Sequence, residues 1–189
     1  METLARWAGY LAIAGGALVA ALVVITTVDP NSPAWYAFFL VVALLGAAVL
    51  GFQQRTKAMT GSLGSASAWL SALGAAALLV VFVYAAATGG ISSGGDYDPA
   101  SDPLTPFWIV TAVAWFLGNI GYAVALIRGR ALSTLGAWLV LGGAVIGLAV
   151  SAVLGENLPP AVMLLFGLFG VGWIVVGYAV IRPTVPATT

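Results

Sequence analysis

Six uncharged apolar stretches alternate with short polar ones along the 189-residue chain, over residues 7–28, 34–52, 68–88, 107–127, 135–154 and 161–181. A hydrocarbon layer about 30 Å thick takes about 20 helical residues to cross, so each stretch has the length of one transmembrane helix. Barrel strands would alternate apolar and polar residues over about ten positions. These runs are instead continuous and rich in Ala, Leu, Val and Gly. The pattern predicts an all-α integral membrane protein, a six-transmembrane-helix bundle forming a single domain over residues 1–189. The first stretch reads as a retained helix, because residues 1–6 are net neutral, the apolar run is long for a signal core, and no A-x-A site precedes Asp29.

Composition removes the soluble alternative. The chain is 62% hydrophobic and 6% charged, and its mean hydropathy is +1.10. Soluble domains run near 25% charged, and disorder needs low hydrophobicity with high charge. A net charge of zero leaves no electrostatic footprint for nucleic acid.

The few charges set an expected orientation. Arg6, Arg55, Lys57, Arg128, Arg130 and Arg182 fall before the first span, in the second and fourth loops, and after the sixth span. Asp29, Asp96, Asp98, Asp102 and Glu156 fall in the first, third and fifth loops, and only Glu2 sits with the basic set. Positive residues stay in the cytoplasm, so both termini are expected there, in a prokaryotic cytoplasmic membrane. Pro33, Pro106 and Pro160 stand where the second, fourth and sixth spans begin, a position that needs no N–H, with Ser32 and Thr105 as N-caps of the first two. Trp35, Tyr36 and Trp108 are placed at the outer interface, and Trp7, Trp69 and Trp138 at the inner one.

A weak periodicity runs through these marks. Pro33 precedes Arg55 by the same interval that separates Pro106 from Arg128 and Pro160 from Arg182. A small residue before tryptophan opens the third and fifth spans, at Ala68-Trp69 and Ala137-Trp138, and Arg6-Trp7 is a weaker version. The chain can be read as three parallel helical hairpin repeats, although prolines at outer starts and arginines at inner ends would give the same spacing. Parallel repeats differ from the inverted pairs of many alternating-access transporters.

Missing groups exclude much chemistry. The chain has no Cys and no His, and no span contains Asp, Glu, Lys or Arg. Proton relays, coupled-ion sites and voltage sensors depend on such groups at membrane depth. Zinc hydrolysis, Ser–His hydrolysis and paired-carboxylate proteolysis lack their residues as well. No enzyme activity, metal or cofactor is expected.

Four features remain as candidates. Thr111, Trp115, Asn119 and Tyr122 share one face of the fourth span, and an amide is costly against lipid, so this face should turn inward. It serves either interhelical hydrogen bonding or a small polar pocket. Phe166, Phe169 and Trp173 share one face of the sixth span beside several glycines, suited to core packing or to a flat apolar ligand. Gly143, Gly147 and Ser151 make a small-residue strip on the fifth span, with the fourth or sixth span as its expected partner. Asp96, Asp98 and Asp102 lie in a Gly- and Ser-rich loop that lacks the EF-hand pattern. The function expected is non-enzymatic: contact with lipid or with a membrane-protein partner, as an accessory or scaffold subunit. The alternatives are a small transporter or facilitator without buried charges and a binder of an apolar cofactor or lipid, and the partner can be another membrane protein or a second copy of the chain.

Overall fold

A computed structural model describes residues 2–29, 32, 37–87, 105–153 and 160–182. These form five helical elements: α1 (Glu2–Val28), α2 (Phe38–Ala87), α3 (Thr105–Arg128), α4 (Thr134–Val153) and α5 (Pro160–Ile181). Among the described residues, Thr3–Val28, Phe38–Tyr84, Ile109–Arg128 and Leu164–Ile181 are long and apolar enough to cross a membrane, and Thr134–Ala149 is a shorter apolar helix. The chain is an all-helical protein with several candidate membrane spans.

The six helices expected from sequence appear as five elements, because α2 joins two helices across a kink at Gly61. Of the spans expected at 34–52 and 68–88, residues 38–52 and 68–87 belong to this one element, and the polar segment between them is helical on both sides of Gly61 rather than a loop. Its hydroxyls make this possible: Thr56 Oγ1 donates to the Phe52 carbonyl at 3.0 Å, and Thr60 Oγ1 to the Thr56 carbonyl at 3.0 Å. The helix breaks at Gly61, with φ 62° and ψ −152°. Only glycine adopts that region readily.

The two arms of α2 fold back on each other across Gly61. Phe39 meets Phe82, a Cβ on Gly46 would lie 2.9 Å from the Ala75 Cβ, and Gln53 Nε2 donates to Ser65 Oγ at 2.7 Å. A side chain at Gly61 would meet nothing within 4 Å, so space does not require glycine there. Gly61→Ala is therefore expected to cost about 1–3 kcal/mol through backbone strain alone. Chemical denaturation in mild detergent measures it, and an unchanged midpoint would mean that the turn is not held in this conformation.

Neighbours in the chain are neighbours in space, and the last helix returns to the first. The first arm of α2 lies on α1, where Gly51 meets Ala8 and Gly15 meets Leu45; the second arm lies on α3, where Gly74 meets Trp115. Gly147 brings α4 to Phe116 of α3, Gly143 brings it to Phe169 of α5, and Gly16 and Gly170 join α1 to α5. All these pairs are antiparallel. Close backbone approach through small residues is how helices associate without a hydrophobic drive between them.

Tight turns fix the ends. Arg130 N bonds the Ile127 carbonyl at 3.2 Å and Ala131 N the Leu126 carbonyl at 3.0 Å, the paired bonds of a Schellman cap with Arg130 at φ 48°. Ser133 Oγ then accepts from Gly136 N at 3.2 Å, capping α4. Pro106 and Pro160 stand in the first turns of α3 and α5, as expected. Pro33, Trp35 and Tyr36, the acidic loop with Asp96, Asp98 and Asp102, and Glu156 lie outside the described residues, as do the side chains of Trp108 and Ser151.

Two consequences follow from the antiparallel ring. The start of α1, the Gly61 turn, the 129–133 turn and the end of α5 gather at one end. All six basic residues sit there with exposed side chains. Trp7, Trp69 and Trp138, each more than half exposed, lie near the same end.

Candidate functional site

The two candidate faces meet inside the ring. Trp115 on α3 and Phe169 on α5 are in edge contact, with ring centroids 5.5 Å apart. Trp115 also meets Phe38 of the first α2 arm at 5.9 Å. Phe169 stacks on Phe166 at 5.7 Å and meets Trp173 at 6.3 Å, while Trp173 stacks on Phe52 at 6.0 Å. Trp115, Phe169 and Trp173 are buried, whereas Phe166 and Thr111 are half-buried. Thr111 Oγ1 donates to the Phe107 carbonyl at 2.7 Å, so its hydroxyl serves its own helix.

The polar half of the site continues toward the basic end. Asn119 Nδ2 donates to the Trp115 carbonyl at 2.8 Å and to Ser71 Oγ at 3.0 Å, tying α3 to the second arm of α2. The Tyr122 hydroxyl pairs with Thr56 Oγ1 at 3.1 Å, tying α3 to the first arm. One turn further, Thr60 Oγ1 donates to Gln53 Oε1 at 3.3 Å. A seam of neutral hydrogen-bonding side chains thus runs between α3 and both arms of α2.

Sequence reasoning found Asn119 and Tyr122 but missed their partners. Gln53, Thr56 and Thr60 fall in the polar stretch between the spans expected at 34–52 and 68–88, yet their spacing places them on one helical face. Ser71 carried no signal, because serine is common in a span rich in small residues.

The seam ends at a cleft of about 280 Å³ lined by Thr60, Gly61, Ser62, Arg128 and Gly129 among others. A shallow apolar surface patch formed by Leu79, Val80, Val83, Tyr84 and Ala87 of the second α2 arm lies toward the opposite end. Among the described residues, no group of three Asp, Glu, His or Cys side chains could hold a metal. What the site offers chemically is hydrogen bonding to neutral groups inside an aromatic shell.

Comparison of the chain with protein-family models, with curated proteins and with solved structures gives no match.

Proposed function

We propose that the protein is a non-enzymatic, multi-pass component of a prokaryotic cytoplasmic membrane, acting by contact with lipid or with a membrane-protein partner. In this reading each arm of α2 crosses the bilayer, giving six crossings with both termini in the cytoplasm. The observation that carries it is the sorting of the surface. Six exposed basic side chains gather at one end, while the sides present exposed apolar residues such as Leu73, Val80, Val83, Ile109, Leu135 and Leu164.

A triplicated hairpin accompanies this reading. The buried positions 115, 116, 118, 119, 122 and 123 of α3 recur in α5 at 169, 170, 172, 173, 176 and 177, displaced by the interval between Pro106 and Pro160. Gly74 meets Trp115 as Gly143 meets Phe169. In the first hairpin both Trp7 and Tyr10 are exposed to the same degree as Trp69 and Trp138.

Anionic lipid head groups attract basic residues near the surface by about 1 kcal/mol each. The protein in nanodiscs of phosphatidylglycerol should therefore melt higher than in phosphatidylcholine. Replacing Arg55, Lys57, Arg128 and Arg130 by glutamine should remove most of the difference. Equal melting in both lipids would defeat the lipid-contact reading. The seam beside Thr56 and Tyr122 favours the second reading, a facilitator of small neutral solutes, and solute flux in proteoliposomes tests it.

A further inference from the structure

Among the described residues, Arg128 is the one charged side chain lining the cleft of about 280 Å³ at the basic end, and no carboxylate lines it. Its guanidinium has no hydrogen-bond or ion-pair partner among those residues. The acidic residue described at that end, Glu2, starts α1, which packs on α2 and α5 but not on α3. The cleft therefore carries a positive charge that nothing beside it balances.

The cleft is built where two helix ends meet without side chains between them. Gly129 follows α3, and a Cβ there would fall on the Met59 carbonyl, so the end of α3 rests directly on the turn of α2. Gly61 lines the same cleft, and a Cβ on it would meet nothing within 4 Å, so the space beside its main chain stays open. Carbonyls at this end of α3 are already used, since Leu126 and Ile127 accept from Ala131 N and Arg130 N. The exposed Ser62 adds a hydroxyl to the lining, and Met59 and Leu63, 50% and 41% exposed, add apolar surface.

A guanidinium presents a planar fork of N–H donors that matches two oxygens of one phosphate. Pockets for whole small molecules start at about 300 Å³, so this cleft has the size for a head group and little more. Polar and apolar surface in one lining suits a phosphodiester whose remainder is hydrocarbon. We propose that the cleft binds one phosphate group, that of an anionic phospholipid, through Arg128 and Ser62, with the start of the lipid chains against Met59 and Leu63. Basic pockets between membrane helices on the cytoplasmic side hold lipid head groups in this way. This inference rests on the lipid-contact reading and narrows it from a diffuse attraction by six basic residues to one site.

The test titrates the full chain in mild detergent with dioleoylphosphatidylglycerol and, separately, with inorganic phosphate. Native mass spectrometry reads binding, and the rise in melting temperature reads its effect on stability. Phosphatidylglycerol should bind, and Arg128→Gln should weaken it by about tenfold or more through loss of the charge-assisted hydrogen bonds. Arg6→Gln and Arg55→Gln remove the same charge outside the cleft and should weaken binding clearly less. Ser62→Trp fills the cleft with every charge left in place and should weaken binding as Arg128→Gln does. All four positions are exposed, so melting without lipid should change little in each variant. Equal weakening by the three arginine variants, or unchanged binding to Ser62→Trp, would overturn the site and leave a diffuse lipid contact standing. Binding of inorganic phosphate alone, lost in Arg128→Gln, would assign the cleft to free phosphate and overturn the lipid as its occupant. Binding of neither probe would overturn the site, while the nanodisc melts, which do not depend on it, decide the wider reading.

Discussion

Gly143→Leu should abolish the stable folded monomer, whereas Gly142→Leu at the adjacent position should be tolerated. A Cβ on Gly143 would fall on the backbone and Cβ of Phe169, while one on Gly142 would meet nothing within 4 Å. Overpacking ordinarily costs about 1–3 kcal/mol. Here the obstructing atoms are main chain, so relief requires α4 and α5 to separate, and the cost should reach or exceed the upper figure. At Gly142 the gain in helix propensity, about 1 kcal/mol, acts without opposition. Thermal melting beside size analysis in mild detergent separates the pair. If Gly143→Leu left melting unchanged and only altered oligomer size, this strip would join subunits instead.

Phe169→Ala should be the most damaging truncation in the interior. The ring is wholly buried and touches Trp115, Phe116, Phe166 and Trp173. Removing a buried phenylalanine costs about 3–5 kcal/mol when the site cannot collapse. Two of the neighbours are large rings already held by other contacts, Trp115 by Phe38 and Trp173 by Phe52. They have little freedom to close the gap. Phe166→Ala, at a half-buried position nearer the end of the cluster, should cost clearly less under the same denaturation assay. Equal costs would mean that the aromatic cluster is not organised around Phe169.

The sequence is most legible where the bilayer constrains it. The apolar stretches at 107–127, 135–154 and 161–181 coincide with α3, α4 (Thr134–Val153) and α5 as far as residues are described, with Thr134–Ala149 shorter than the candidate spans. The inward turn of Asn119 was readable from the cost of an amide in lipid, and it is buried. The partners expected for the Gly143–Gly147 strip are those found, Phe169 on α5 and Phe116 on α3.

What escaped was anything that depends on non-local pairing. Polarity argued for a loop between the arms of α2, but Thr56 and Thr60 satisfy their hydroxyls on the helix's own carbonyls, so polarity did not end the helix. Gly61 is one of 24 glycines, and its positive φ leaves no mark in composition. Faces of α3 and α5 could be drawn separately, yet their meeting at Trp115 and Phe169 depends on a ring order that periodicity within one helix does not encode.

The chain folds back at Gly61 and gathers its basic ends at one end of the bundle, which the proposed orientation places on the cytoplasmic side. Ser62 is exposed beside that turn, whereas Thr60 is buried and would report poorly. The chain contains no cysteine, so a single Ser62→Cys substitution gives one thiol. An impermeant thiol reagent applied to intact cells should leave this cysteine unlabelled and should label it once the membrane is opened. A control cysteine at Ser93, in the acidic third loop, should be labelled in intact cells. Labelling of Ser62→Cys from outside intact cells, with Ser93→Cys protected, would contradict the account.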